Sequence, residues 1–213
     1  MIRAVVFDVG ATLVREDRYW NAWADWVDVP RHTLSALVGA VVALGMDDAE
    51  ALRMLKPGID ITAERAAMEA AGEGERLDDT DLYQDVRRGL RALSEAGMRV
   101  YVAGNQTARA AGLLRALDLP VNGVATSGEW GVAKPQPAFF ERVLDMTGTA
   151  AHETVYVGDF PDNDVIPAKA LGLQACHLRR GPWGHLWANE PATLAAADWR
   201  VDSLLDLPAL LAP

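Results

Sequence analysis

Two stretches far apart in the chain repeat one pattern: an apolar run, a turn, then carboxylates. The first is Val5-Val6-Phe7-Asp8-Val9-Gly10-Ala11-Thr12-Leu13; the second is Val155-Tyr156-Val157-Gly158-Asp159-Phe160-Pro161-Asp162-Asn163-Asp164. Short, continuous apolar runs read as strands buried on both faces, which is the character of parallel-sheet strands. A carboxylate leaving such a strand at its carboxyl end stands where open α/β sheets bind their ligands. Two strand tips with clustered carboxylates imply a hard divalent cation held by oxygen, and at a phosphate site that cation is Mg²⁺.

Further apolar runs extend the sheet. Strands are expected at about 3–7, 99–103, 122–126, 154–158, 173–177 and 199–201, with stretches of helical period between most of them. This alternation predicts an α/β fold, a Rossmann-like parallel sheet flanked by helices. A helix over about 79–96 has Asp78, Asp79 and Asp81 near its start, where carboxylates suit the exposed amides, and ends at Gly97. Another, over about 162–171, begins in the second acidic cluster and stops before Gly172. The interval between the first two strands is too long for a simple crossover. It reads as helices punctuated by Pro30, Gly45, Pro57-Gly58, Gly72 and Gly74. The expected organisation is therefore a core of residues 1–14 and 78–213, with a small α-helical subdomain inserted over residues 15–77.

Charge and cysteine content narrow the function. A formal net charge of −10 argues against nucleic acid or an anionic membrane as partner, although it leaves room for a local basic pocket. No apolar stretch approaches the roughly 20 residues of a membrane span. Cys176 is the single cysteine, so no intrachain disulfide forms. With no basic leader and apolar core opening the sequence, the expected location is the reducing cytoplasm. The four histidines are scattered and have no thiolate company, so they do not spell a zinc site.

The strand-tip motifs resemble those of the haloacid dehalogenase (HAD) superfamily, whose first motif is DxDGT; here it is DVGAT at Asp8–Thr12. Ser127-Gly128-Glu129-Trp130-Gly131-Val132-Ala133-Lys134-Pro135-Gln136-Pro137-Ala138-Phe139-Phe140 is similar to the third motif, SGExGxxKPxPxxF, and the stretch from Gly158 to Asp164 to the fourth. The resemblance implies a Mg²⁺-dependent phosphohydrolase acting on a small phosphorylated metabolite. Asp8 would be the nucleophile, forming an aspartyl-phosphate. Asp8, Asp159, Asp164 and the backbone carbonyl of Gly10 would hold the metal. Lys134 would neutralise nucleophile and phosphoryl group, with Asn105 among the catalytic residues. Thr12, Gly104, Asn105, Gln106 and Lys134 would line the phosphate. Pro135 is expected to hold Lys134 extended and to begin the next helix. The helical insertion corresponds in place to the cap that many members carry.

Two departures from the family pattern bear on activity. Gly10 stands where phosphatases of the superfamily place the aspartate that protonates the leaving oxygen and later activates water. General acid–base help is worth roughly 10²–10⁴-fold, about 2.7–5.4 kcal/mol of barrier. Its loss favours acyl or aryl phosphates over alkyl phosphates; Glu16, Asp17 and Asp25 of the insertion are available as substitutes. Gly104 stands where the second motif has Ser or Thr, and Thr107 is the nearest hydroxyl. A second reading follows: a weak or inactive relative that binds a phosphorylated ligand or a protein partner. A third, a metal-independent dehalogenase, is disfavoured by the paired acids of the fourth motif.

Aromatic stretches admit more than one reading. Trp20, Trp23 and Trp26 share one broad helix face, either as packing between helices, which such stripes usually are, or as a hydrophobic wall over a substrate. The segment from Arg179 to Trp187 follows the fifth strand at the sheet edge that carries the site, where it either contacts substrate or covers the core.

Overall fold

A computed structural model describes residues 1–212. Six strands form one parallel sheet: β1 (Ala4–Phe7), β2 (Arg99–Gly104), β3 (Gly123–Thr126), β4 (Thr154–Gly158), β5 (Gln174–Leu178) and β6 (Trp199–Val201). Their spatial order is β3-β2-β1-β4-β5-β6, the order of the Rossmann fold. The chain works outward from β1 to β3, then returns to place β4 on the other side of β1. The carboxyl ends of β1 and β4 thus flank the point where the winding reverses, and Asp8 and Asp159 are the residues that leave those two ends.

The apolar runs are continuous because these strands have no solvent face. All four residues of β1 are fully buried, as are all five of β4. Ala4 and Val6 point to one side, into a cluster with Tyr101, Phe139, Phe140, Val143 and Tyr156. Val5 and Phe7, one residue out of phase, serve the opposite side.

Two compact units emerge, Met1–Arg15 with Asp78 onward, and Glu16–Leu77. The second is all helical: α1 (Asp17–Trp26), α2 (Arg31–Ala43), α3 (Glu50–Leu55) and α4 (Ile61–Ala70). Asp60 caps α4 by accepting from the amides of Thr62 and Ala63. Trp23 is buried, and Trp26 donates its indole N–H to Glu64 on α4 at 2.8 Å. Within this unit the tryptophan stripe therefore serves packing. The sheet unit carries α5 (Val86–Glu95), α6 (Ala108–Ala116), α7 (Ser127–Trp130), α8 (Pro137–Thr147), α9 (Ile166–Ala170), α10 (Gly181–Leu186), α11 (Pro191–Ala196) and α12 (Leu207–Leu211). Among the described residues no helix is long and apolar enough to cross a membrane.

Two expected helices are interrupted. Over 79–96, only Val86–Glu95 is α-helical. Asp78 caps a separate 3-10 turn, Asp79–Asp81, and Leu82 is extended and bridges Val14 in antiparallel sense. The Arg15 amide donates to the Asp81 carbonyl at 2.7 Å and the Tyr83 amide to the Leu13 carbonyl at 3.1 Å. Backbone groups that would have begun the helix are thus spent tying the outgoing and returning limbs of the insertion together. Over 162–171, residues Pro161–Val165 form a π turn and α9 restarts at Ile166. Pro167 has no amide to continue the helical ladder.

The turn after β1 is closed by the Val9 carbonyl, which accepts from the amides of Leu13 and Val14, both at 2.9 Å. Its left-handed residue is Ala11, with φ 51°, not Gly10. For an L-residue that conformation costs about 1–2 kcal/mol. The cost predicts an inverted size order at a buried position. Ala11→Gly should leave thermal stability within about 1 kcal/mol of the parent or raise it, despite losing a methyl, whereas Ala11→Val should cost about 2 kcal/mol or more. Unfolding midpoints that instead rank with side-chain volume would contradict this reading.

Candidate active site

Asp8 follows β1 directly, and its amide continues the sheet by donating to the Val157 carbonyl at 2.9 Å. Asp159 follows β4, and Asp164 lies one turn further, in the π turn. One ligand oxygen from each of Asp8, Asp159 and Asp164 lies within 4.8 Å of the others, and all three residues are buried. Gly158 makes this possible: a Cβ there would collide with the Asp164 carboxylate, which folds back over it.

Lys134 reaches the same point from the segment between α7 and α8. Its Nζ lies 2.5 Å from Asp8 Oδ1 and 2.6 Å from Asp164 Oδ1, and it sits 5.5 Å from the centre of the Tyr156 ring. Burial alone would depress the ammonium's pKa, but Asp164 and Asp8 outweigh it and hold the group well above its ordinary value. The lysine is therefore charged at neutral pH. Burial, reinforced by Asp8, pushes the Asp164 carboxyl up to about 6 against the pull of Lys134. The donor set, all hard oxygen and in excess of the local cation, fits a divalent metal ion.

Other groups hold this cluster in place. Asn105 clamps the Lys134 backbone with both ends of its amide: Oδ1 accepts from Lys134 N at 2.8 Å and Nδ2 donates to Lys134 O at 3.0 Å. Its contact is thus with the lysine that meets the carboxylates. Asp164 Oδ2 accepts from the Phe160 amide at 2.9 Å, which leaves Oδ1 for Lys134. Thr12 is fully buried and turns its Oγ1 toward Asp159 Oδ1 at 3.4 Å. Gly10 lies in the turn beside these groups, bridged to Val14.

The third-motif residues serve the neighbouring loop. Gln106 O accepts from Gly128 N at 3.0 Å and Ser127 Oγ at 3.2 Å, while Glu129 pairs with Arg115 at 2.8 and 2.9 Å. Thr107, the nearest hydroxyl to Gly104 in sequence, is the N-cap of α6, its Oγ1 accepting from Ala110 N at 3.0 Å. Pro135 does not begin the next helix. The Lys134–Pro135 peptide is cis, and α8 opens at Pro137 with Gln136 as its cap. Of the acids named in the insertion, Asp25 is tied to Arg31 at 2.9 and 2.6 Å in an exposed pair within that unit.

Sequence reading placed Arg180 only within a segment at this sheet edge and gave His177 no role. Of two adjacent arginines, Arg179 is exposed and pairs with Asp202, whereas Arg180 is only 8 % exposed. Arg180 Nη1 donates to the Thr12 carbonyl at 2.9 Å and Nη2 pairs with Asp85 Oδ2. Its guanidinium stands 4.4 Å from the Tyr83 ring centre. Asp85 Oδ2 also accepts from Ser203 Oγ at 2.7 Å and Leu204 N at 2.9 Å. Arg180 thereby joins the turn after Asp8 to the chain re-entering the sheet unit. His177 is buried at the end of β5, and burial lowers its pKa. As a neutral ring it can donate Nε2–H to the Asp159 carbonyl, 3.1 Å away. The segment after β5 forms α10, whose Trp183 stacks on Phe160 at 3.8 Å and 14°.

Burial would raise the Asp85 pKa, but the Ser203, Leu204 and Arg180 hydrogen bonds and charge prevail and lower it. A carboxyl depressed on folding adds stability that is complete above its unfolded pKa of about 4 and is lost as pH falls through the folded value. Asp85→Asn should therefore cost about 3 kcal/mol at pH 7, with the gap to wild type narrowing below about pH 4. A gap that persists undiminished into acid would show that Asp85 works through shape, not charge.

With this geometry in view, the likenesses to known proteins are coherent. The haloacid dehalogenase-like hydrolase family profile matches residues 2–172. A glyceraldehyde 3-phosphate phosphatase of Methanocaldococcus jannaschii is 38 % identical over 84 residues, covering 39 % of this chain and 35 % of that protein. A phosphoserine phosphatase of Thermus thermophilus is 37 % identical over 84 residues, covering 39 % and 31 %. The chain thus spans about a third of the length of these curated relatives. Among solved structures, a dehalogenase superposes with a TM-score of 0.69 at 22 % identity, covering 100 % of this chain and 98 % of that one. A HAD phosphatase from Thermococcus onnurineus gives 0.65 at 18 % identity, covering 99 % and 98 %. Those two likenesses establish the fold; the match over residues 2–172 establishes the family, and the chain belongs to the haloacid dehalogenase-like hydrolases.

Proposed function

We propose that the protein is a phosphohydrolase that requires a divalent cation, Mg²⁺ by the hardness of its donors, and that acts on a small phosphorylated metabolite. The observation carrying this reading is the meeting of Asp8, Asp159 and Asp164 within 4.8 Å beside a lysine ammonium. Asp8, Asp159, Asp164 and the Gly10 carbonyl would hold the cation. When bound, it neutralises carboxylates and substrate oxygens and so permits two anions to meet. A dehalogenase reading is disfavoured by this excess of carboxylates.

The protein's own groups do the rest. An Asp8 carboxylate oxygen attacks phosphorus; the bond from phosphorus to the leaving oxygen breaks, and that oxygen departs with its electron pair. Lys134 holds charge on the transferred group, with Asn105 fixing the lysine's backbone. Water then attacks phosphorus, releasing phosphate and restoring the Asp8 carboxylate. Thr12, Gly104 and Gln106 line the same turns and are assigned to the phosphate. Because Gly10 offers no proton, leaving groups that depart as stable anions are favoured: acyl and aryl phosphates over alkyl phosphates. In this reading residues 1–14 with 78–213 are the catalytic core and the inserted helices 15–77 act as a cap that selects substrates. Buried Cys176 suits a reducing cytoplasm. Gly10 also favours the second reading, a weakly active relative that binds a phosphorylated ligand or a protein partner.

Hydrolysis of acetyl, aryl and alkyl phosphates with and without Mg²⁺ separates the two. We expect Mg²⁺-dependent turnover, fastest on the better leaving groups and reduced at least about a hundredfold by Asp8→Asn. Gly10→Asp should raise alkyl phosphate hydrolysis, by up to about 10²–10⁴-fold. Turnover equal to that of Asp8→Asn would discard the enzyme in favour of the binding protein.

A further inference from the structure

Gly104 ends β2 beside the strand that carries the nucleophile, in a register that pairs Phe7 with Val102. Its backbone is not left-handed, so conformation does not call for glycine. Space does. A Cβ at this position would stand 2.7 Å from Asp8 Oδ1, 3.0 Å from Val9 Cγ2 and 3.3 Å from Val9 N. The last of these is backbone, and Val9 is buried. The first is the tip of a side chain, which could ordinarily swing away at little cost.

Here it is held. Asp8 Oδ1 lies 2.5 Å from Lys134 Nζ, and the same nitrogen lies 2.6 Å from Asp164 Oδ1. The lysine backbone is fixed in turn by both ends of the Asn105 amide. Moving the Asp8 carboxylate off Gly104 therefore means lengthening a buried ion pair whose ammonium is also bound to Asp164.

We propose that Gly104 is the seat of the nucleophile: the absent side chain is the space in which the Asp8 carboxylate lies while it meets Lys134. Gly104 is then a positioning residue by omission, and the loss of a hydroxyl at the end of β2 is secondary. In this chain's backbone a side chain there, hydroxylated or not, presses on the Asp8 carboxylate and moves it from the ammonium, although the family pattern carries Ser or Thr at this place. The catalytic consequence rests on the phosphohydrolase reading; the steric one does not.

The test pairs Gly104→Ala and Gly104→Ser with and without Asp8→Ala, reading thermal unfolding and, in the Asp8 background, aryl phosphate turnover with Mg²⁺. Both Gly104 substitutions should lower the melting temperature by several degrees when Asp8 is present, and by much less when the carboxylate is gone. Both should also lower turnover, by up to about a hundredfold, the scale of a ~1 Å misplacement, with serine no better than alanine. Equal destabilisation in the two backgrounds would overturn the proposal. So would a rise in turnover with serine alone, which would make the missing hydroxyl the whole deficit. If the parent shows no Asp8-dependent turnover, the phosphohydrolase reading fails, and the unfolding cycle still decides the seat.

Discussion

Lys134 Nζ lies between two carboxylates in a place water scarcely reaches, and the site depends on that arrangement. A buried ammonium is costly to desolvate and is tolerated only where partners and geometry compensate. Asp8 and Asp164 do so, at 2.5 and 2.6 Å. Each requires a different part of the fold. Asp8 needs β1 central in the sheet, Asp164 needs the fold-back over Gly158, and Lys134 needs the α7–α8 connection pinned by Asn105. Parallel pairing of β1 with β4 brings the first two together at the point where the winding reverses. The ion pairs also leave the cluster negative, since Asp159 adds a third carboxylate. The chemistry of the site follows from that remaining charge.

A second buried cation supports the first. Arg180 spans the Thr12 carbonyl, the Tyr83 ring and Asp85, and so fastens the turn that follows Asp8. Asp85 passes the connection on to Ser203 and Leu204 after β6. The turn after Asp8 is thus held at Thr12 by both Asp159, through the side chain, and Arg180, through the carbonyl. It accommodates Ala11 in a left-handed conformation that its own closing hydrogen bonds impose.

The sheet was legible in the sequence because its central strands, β1 and β4, are buried throughout, so their apolar runs mark them almost to the residue. Asp8 and the Asp159–Asp164 cluster were legible for a related reason, as carboxylates following apolar runs, whereas Lys134 was legible only through the resemblance of its segment to the third motif of the family. What stayed hidden depends on long-range contacts. Nothing in Arg179-Arg180 says that the second is buried and bonded to a turn residue, Thr12, 168 positions earlier. The acids at 78, 79 and 81 read as the first turn of a helix, yet they close a 3-10 turn because nearby amides pair with Leu13 and Asp81 instead. Thr107 and Pro135 carry composition signals that fit two local structures each, and only packing chooses between them. Gly104 reads as a deletion in sequence, while in the structure it is occupied space.

The central claim is that the carboxylate cluster is completed by a divalent cation at Asp8, Asp159 and Asp164. Its most direct test is thermal unfolding of the protein at pH 7 in Mg²⁺ against chelator, repeated for Asp159→Asn. A cation bound only by the folded state adds about 2.7 kcal/mol at a concentration of about one hundred times its dissociation constant. The melting temperature of the wild type should rise with Mg²⁺ and saturate, while that of Asp159→Asn should respond far less. A wild type indifferent to Mg²⁺, or a variant that gains equally, would contradict the account.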